Sequence, residues 1–306
     1  MPADLEAAVE RALAEDIGGG DVTAALVPAA SLAAASVIAR EPAVLCGQPW
    51  FDAVFARLDP AIRIEWHCAE GARVGTDQRL CTLSGPARPL LTGERTALNF
   101  LQLLSGTATT VRRYVDAIAG TGAAITDTRK TIPGLRTAQK YAVVVGGGMN
   151  HRIGLYDGIL IKENHIAAAG GIRQAIANAR ALNAGVPLMT EAENLDEARA
   201  ALEADVDLLL VDDFTPSELR EAVGLTRAHR AAGGKTVIEY SGGATLETVR
   251  SYAEAGVDRI AIGALTKHVR AIDFSMRFAA ESPPAGDQSR NSSRRATPAP
   301  HPEPVP

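Results

Sequence analysis

A chain of 306 residues carries 31 Lys and Arg against 36 Asp and Glu, so its net charge is −5 at neutral pH, with 46% hydrophobic and 22% charged residues. A net-negative chain without a long basic run lacks the broad positive footprint of nonspecific nucleic-acid binding, and it contains no run of about 18 apolar residues that could span a bilayer. The length suits one large α/β barrel, or a barrel with a smaller domain, and aromatics at only 4% leave the packing to Ala, Val, Leu and Ile.

Leu5, Ala8, Val9, Ala12 and Leu13 mark a first helix that ends at Gly18, Gly19 and Gly20. From Ser36 to Thr82 the pattern turns strand-like: SVIAR, the alternation IRIEWHC, and RLCTL, with a helix over 49–58 between them. These elements predict a small α+β domain. Cys46, Cys68 and Cys81 are odd in number and lack metal-ligand spacing, so they read as reduced thiols of a cytoplasmic protein, and the acidic amino terminus has no signal-peptide pattern. A long helical region follows over 90–119, with Gly106 expected to split it in two. Arg95 lies in its first half and, on pattern alone, is a solvated surface cation.

From Ala123 the chain alternates strand and helix. The strands AAITD, DGILIK, PLMTEAE, LLLVDDF, TVIEYSG and DRIAIGA are near-continuous apolar runs, which implies a parallel sheet covered by helices. Six such strands fall short of eight, so the expected fold class is α/β with an incomplete α/β barrel, and a doubly wound sheet is the second choice. IDFSMRF is expected to return to the first domain, and the Pro- and Ser-rich remainder reads as a disordered tail. The expected division is an N-terminal α+β domain over 1–105, the barrel over 106–265, the return over 266–280 and the tail over 281–306.

The ends of those strands carry the chemistry. They present Arg129 and Lys130, then Lys162, Glu191 and Glu193, Asp212 and Asp213, the turn Ser241, Gly242, Gly243, and finally Gly263 and Ala264. Carboxyl ends of parallel strands share one mouth, and cations gathered there repel one another unless an anion compensates them. With Asn150, His151 and Arg152, the stretch over 127–165 therefore reads as an anion site. Carboxylates beside the cations suit substrate hydroxyls or a divalent metal. SGG and GAL, each expected to open a helix, offer backbone N–H groups to a phosphate. Glu193 and Asp213 read as caps of the following helices, which leaves Glu191 and Asp212 as the better site carboxylates.

The segments EDIGGGDVT, ERTALNFLQLLSGTAT, DTRKTIPGLR, KYAVVVGGGMNHRIGLYDGILIKENHI, IEYSGGAT and DRIAIGALT, in this order across residues 5–278, resemble the quinolinate phosphoribosyltransferase family. The resemblance implies an N-terminal α+β sandwich beside an incomplete barrel. It also implies an enzyme of NAD biosynthesis that transfers a phosphoribosyl group from phosphoribosyl pyrophosphate to quinolinate, releasing pyrophosphate and CO2, with Mg2+ as cofactor. It places quinolinate against Arg129, His151, Arg152 and Lys162, with Lys130 near both substrates, and gives catalytic roles to Lys130, Lys162, Glu191 and Asp212. Glu191 and Asp212 would meet the ribose hydroxyls and, indirectly, the magnesium on the pyrophosphate; Ser241, Gly242, Gly243, Gly263 and Ala264 would receive the 5′-phosphate. Arg95 would serve the neighbouring site of a homodimer, with assembly to a hexamer left open. Two positions depart from the family's common pattern: Asp213 stands where Asn is usual and Tyr240 where Ala is usual. Rival readings are a related phosphoribosyltransferase with another acceptor, or a noncatalytic binder of a phosphate ligand.

Overall fold

A computed structural model describes residues 2–278; the tail expected over 281–306 lies outside the described residues. The chain begins with α1 (Leu5–Ile17), which buries the stripe Leu5, Ala8, Val9 and Leu13. Then come β1 (Leu32–Ala39), β2 (Ala43–Val44), α2 (Gln48–Leu58), β3 (Arg63–Trp66), β4 (Arg73–Val74) and β5 (Arg79–Pro86). Alternation along β1 buries Ala35, Val37 and Ala39 on one face, as a sheet with one solvated side requires. The few aromatics concentrate beneath that face: Phe51 of α2 meets Phe55 at 5.1 Å and Trp66 at 5.2 Å, both edge to face.

The next element, α3 (Ala87–Ala117), is one unbroken helix of 31 residues, so the expected split at Gly106 does not occur. The glycine serves a close approach instead. A Cβ at Gly106 would stand 2.2 Å from the carbonyl oxygen of Arg270, so the absent side chain admits the returning chain against the helix. One interior glycine costs a helix about 1 kcal/mol, which burial of Leu101, Leu104, Ala108 and Val111 on the same helix outweighs. Gly106→Ala is accordingly expected to destabilise the protein by about 1–3 kcal/mol. Gly224→Ala, at a helical position with open space, is expected to be neutral or slightly stabilising; thermal unfolding of the two variants checks the contrast.

The barrel follows as β6 (Ala124–Thr126), α4 (Arg136–Val145), β7 (Ile159–Ile161), α5 (Glu163–Ala169), α6 (Ile172–Ala181), β8 (Leu188–Ala192), α7 (Leu195–Glu203), β9 (Leu208–Asp212), α8 (Pro216–Ala231), β10 (Val237–Ser241), α9 (Val249–Ala255), β11 (Arg259–Ala261) and α10 (Ala264–Lys267). All six expected strands form, in the order β6-β11-β10-β9-β8-β7, and every pair is parallel. Because β11 returns to pair with β6, the sheet curls round on itself; a doubly wound sheet would instead reverse direction at a central switch point. The gap lies between β6 and β7. A single parallel bridge from Thr126 to Met149 stands where another strand would pair. After α10, β12 (Phe274–Phe278) runs antiparallel to β1 and completes the first sheet in the order β12-β1-β5-β3, as the returning strand was expected to do.

The helix caps differ from expectation. Asn194 caps α7 by accepting from the Glu197 N–H at 2.9 Å, and Thr215 caps α8 in a reciprocal box with Glu218. Glu193 and Asp213 cap neither, because the residue adjoining each helix already supplies a short oxygen that reaches the N3 amide. No helix among the described residues is long and apolar enough to cross a membrane.

Candidate active site

A cavity of about 410 Å³ opens at the carboxyl end of the barrel, walled by Arg129, Lys130, His151, Arg152, Lys162 and Glu191, with Ser241 at its edge. Three segments deliver these side chains. Arg129 and Lys130 follow β6, Lys162 and Glu191 end β7 and β8, and His151 and Arg152 enter through the gap between β6 and β7.

A buried network fastens the first and third segments together. The Asp127 carboxylate accepts from Lys140 of α4 and, at 2.9 Å, from the His151 N–H, while Lys140 also donates to the His151 carbonyl at 2.9 Å. Asn150, with its amide nitrogen facing the acceptors, donates to Asp127 at 2.7 Å and to the Lys140 carbonyl at 3.0 Å. Arg136 of α4 reaches out to the carbonyls of Arg129 and Ile153. Burial pushes Asp127 up and Lys140 down, and each opposes that push on its partner.

The two arginines stand near each other, each with one donor that has no acceptor. Nε of Arg129 and Nε of Arg152 are both buried and unpartnered, and Arg152 donates through Nη1 to the Gly158 carbonyl at 3.0 Å. Burial and then the Arg129 charge lower the affinity of Arg152 for its proton. Buried guanidinium donors left unpaired beside each other are costly, and a planar carboxylate satisfies them in the fork geometry.

Beneath them His151 accepts from the Arg152 N–H through Nδ1 at 2.7 Å, so the neutral ring carries its proton on Nε2. Burial, then the charges of Lys140 and Arg152, depress its pKa to about 4. Nε2 faces Oε1 of Glu239 at 3.6 Å, and neither atom has a closer partner. Glu239 is fully buried on β10, where the Thr126 hydroxyl donates to its other oxygen at 3.1 Å. Burial raises its pKa from 4.5 to about 7, against the Thr126 bond and the Arg259 charge. The folded protein thus keeps a proton that the unfolded chain releases above 4.5, so stability falls as pH rises from 4.5 to about 7, by about 3 kcal/mol. Glu239→Gln is expected to remove that part of the decline. Unfolding temperatures of the variant and the parent at pH 5 and pH 8 check it, and equal losses in both proteins would show that Glu239 ionises in the fold without penalty.

Lys162 donates to Glu191, whose pKa burial raises and Lys162 opposes. Asp212 ends β9 in register with Ser241. Beyond Ser241, no acceptor is found among the described residues for the N–H groups of Gly242, Gly243 and Ala244. This turn does not open a helix as expected, since α9 begins only at Val249. Gly263 directly precedes α10, and a Cβ there would stand 3.0 Å from Cδ of Lys130, so this glycine makes room for the lysine. Arg95 is apart from all of these, exposed on α3 and outside the cavity wall.

The sequence reading missed Asp127, Lys140 and Glu239. Of the three, Glu239 has a signal in retrospect, a carboxylate at the middle of the apolar strand around IEY.

Residues 21–105 match the quinolinate phosphoribosyl transferase N-terminal domain and residues 107–277 match its C-terminal domain. The chain is 42% identical over 276 residues to the nicotinate-nucleotide pyrophosphorylase (carboxylating) of Mycobacterium leprae (strain TN), covering 88% of this chain and 95% of that one. It is 38% identical over 287 residues to the Homo sapiens protein of the same name, covering 92% and 95%. The solved structure of the nicotinate-nucleotide pyrophosphorylase from Francisella tularensis superimposes with a TM-score of 0.86 at 42% identity, covering 91% of this chain and 98% of that chain. With both of its domains matched in order, the chain belongs to the quinolinate phosphoribosyl transferase family.

Proposed function

We propose that the protein transfers the phosphoribosyl group of phosphoribosyl pyrophosphate to quinolinate and releases pyrophosphate and CO2, forming nicotinate mononucleotide for NAD biosynthesis. The observation that carries this reading is the pair of half-buried arginines, Arg129 and Arg152, whose buried Nε donors both lack an acceptor, on a cavity that also holds Lys162. A pyridine dicarboxylate answers both: its two carboxylates pair with the arginines and Lys162, and its flat ring fills the space between them.

In this reading the pyridine nitrogen attacks ribose C1 as pyrophosphate leaves. Glu191 and Asp212 face the ribose hydroxyls and the positive charge that develops at C1, and Lys130 faces the departing pyrophosphate. The unpaired N–H groups of Gly242, Gly243 and Ala244, with Gly263 and Ala264, take the 5′-phosphate. Loss of the 2-carboxylate leaves an electron pair beside a cationic ring nitrogen, with Lys162 at hand to stabilise it. Among the described residues no three Asp, Glu, His or Cys side chains gather as a metal cage. Glu191 and Asp212 on neighbouring strands fit the mode in which Mg2+ is held by one or two carboxylates plus substrate phosphates, and Mg2+ so bound would neutralise charge on the pyrophosphate.

The working unit is a homodimer in a cytoplasmic setting, with Arg95 given to the neighbouring site. Two observations support the dimer: Arg95 is exposed and does not line its own cavity, and large apolar side chains stand exposed near the amino terminus, at Leu155, which lines the cavity, and at the adjoining Tyr156.

Turnover with quinolinate, phosphoribosyl pyrophosphate and Mg2+ tests the reading, with nicotinate as competing acceptor. Equal amounts of mononucleotide and CO2 from quinolinate, with nicotinate inert and activity lost to a chelator, are expected. Activity on nicotinate alone, or none at all, would overturn it.

A further inference from the structure

Along β10 the side chains of Val237, Glu239 and Ser241 alternate with those of Ile238 and Tyr240. Glu239 and Ser241 belong to the cavity wall, so Tyr240 points the other way, towards the helices. It is 2% exposed, and its ring stacks on Tyr252 of α9 with centroids 4.0 Å apart and planes 20° from parallel. Its hydroxyl donates to the Gly242 carbonyl at 3.1 Å. Burial, then Tyr252, Asp213 and Asp212, hold the phenol protonated well beyond its ordinary range, so the donor is permanent at any working pH.

The peptide that carries this carbonyl also carries the Gly243 N–H. In a trans peptide the two point in opposite directions, so a hydroxyl that holds the carbonyl on the helix side turns the N–H away from it. The turn is pressed tightly into place. Gly242 has φ 143°, and a Cβ on it would lie 2.6 Å from Oδ1 of Asp213 and 2.8 Å from the Tyr240 hydroxyl. Asp213, itself at φ 52°, donates its N–H to the Ser241 carbonyl at 3.0 Å.

We propose that Tyr240 is a positioning residue for a phosphate monoester held by this turn: its hydroxyl fixes the Gly242 carbonyl and thereby presents the Gly243 N–H to the phosphate oxygens. The inference rests on the reading that the turn receives the 5′-phosphate. Tyr240 touches no reacting atom, so its effect falls on one substrate and not on the other.

The test uses the full-length enzyme and two single-atom variants, Tyr240→Phe and Tyr252→Phe, with ribose 5-phosphate as the binding probe. For Tyr240→Phe, the dissociation constant of ribose 5-phosphate and the KM for phosphoribosyl pyrophosphate are each expected to rise about tenfold, the scale of one hydrogen bond. The KM for quinolinate, kcat at saturation and the unfolding temperature are expected to stay near their original values. Tyr252→Phe, which keeps the stacked rings and the Tyr240 hydroxyl, is expected to bind both phosphate ligands as the parent does. Parent-like phosphate affinity in Tyr240→Phe, or an equal loss in Tyr252→Phe, would overturn the inference while leaving the site reading intact. Failure of the unaltered enzyme to bind ribose 5-phosphate would overturn the placement of the 5′-phosphate and this inference with it.

Discussion

Lys140→Met is expected to lower the unfolding temperature at neutral pH by on the order of 10 °C. The substitution keeps the length of the stem but leaves the Asp127 carboxylate, fully buried, with no opposite charge. Removing one partner of a buried pair costs about 3–5 kcal/mol, because the remaining charge stays desolvated, and each kcal/mol moves the midpoint of a chain this size by roughly 2–4 °C. The sign can be checked in two ways. Adding Asp127→Asn removes the stranded charge and is expected to restore at least half of the loss. Lowering the pH towards 5 protonates Asp127 in the single variant and is expected to narrow its deficit. A single variant as stable as the parent would mean that the network carries no charge.

Lys162→Ala is expected to do the opposite: little to stability, and a fall in kcat/KM for quinolinate of about two to three orders of magnitude, the scale of losing one charged group aimed at a reacting centre. The chemical pairing is the same, a lysine on a carboxylate, but Lys162 is 43% exposed where Lys140 is 2%. Water screens the first pair, so its contribution to folding stays within about 1 kcal/mol. Steady-state kinetics beside a melting curve separate the two roles, and normal turnover in Lys162→Ala would remove it from the chemistry.

The contrast between these lysines shows how far the sequence could be read. Lys162 was legible because it closes an apolar strand, and strand ends in a parallel sheet share one mouth. The six strands were legible for a related reason: both faces of each are covered, so each appears as an apolar run between turns. Lys140 was not, since nothing local says that a lysine in an amphipathic helix meets Asp127 instead of water. Gly106 misled for the same reason: the carbonyl that requires it belongs to Arg270, distant in the chain. The caps failed on a finer point, because an acidic residue one position too early looks much like a cap. The unpartnered arginine donors, the orphan oxygen of Glu239 and the free N–H groups of the Gly242 turn appear only in three dimensions, since a missing partner leaves no trace in a string of letters.

The unbroken course of α3 sets a limit on where Arg95 can reach. Its later part, at Val111 and Tyr114, is embedded in the barrel core, while Arg95 lies some sixteen residues earlier on the same rod, about 24 Å away at 1.5 Å per residue. A jointed helix could swing that arginine back towards its own cavity; a rigid one holds it at arm's length. On the proposed reading, in which Arg95 serves the site of a second copy, separating the copies would leave each with a vacancy that no internal motion short of melting the helix could fill.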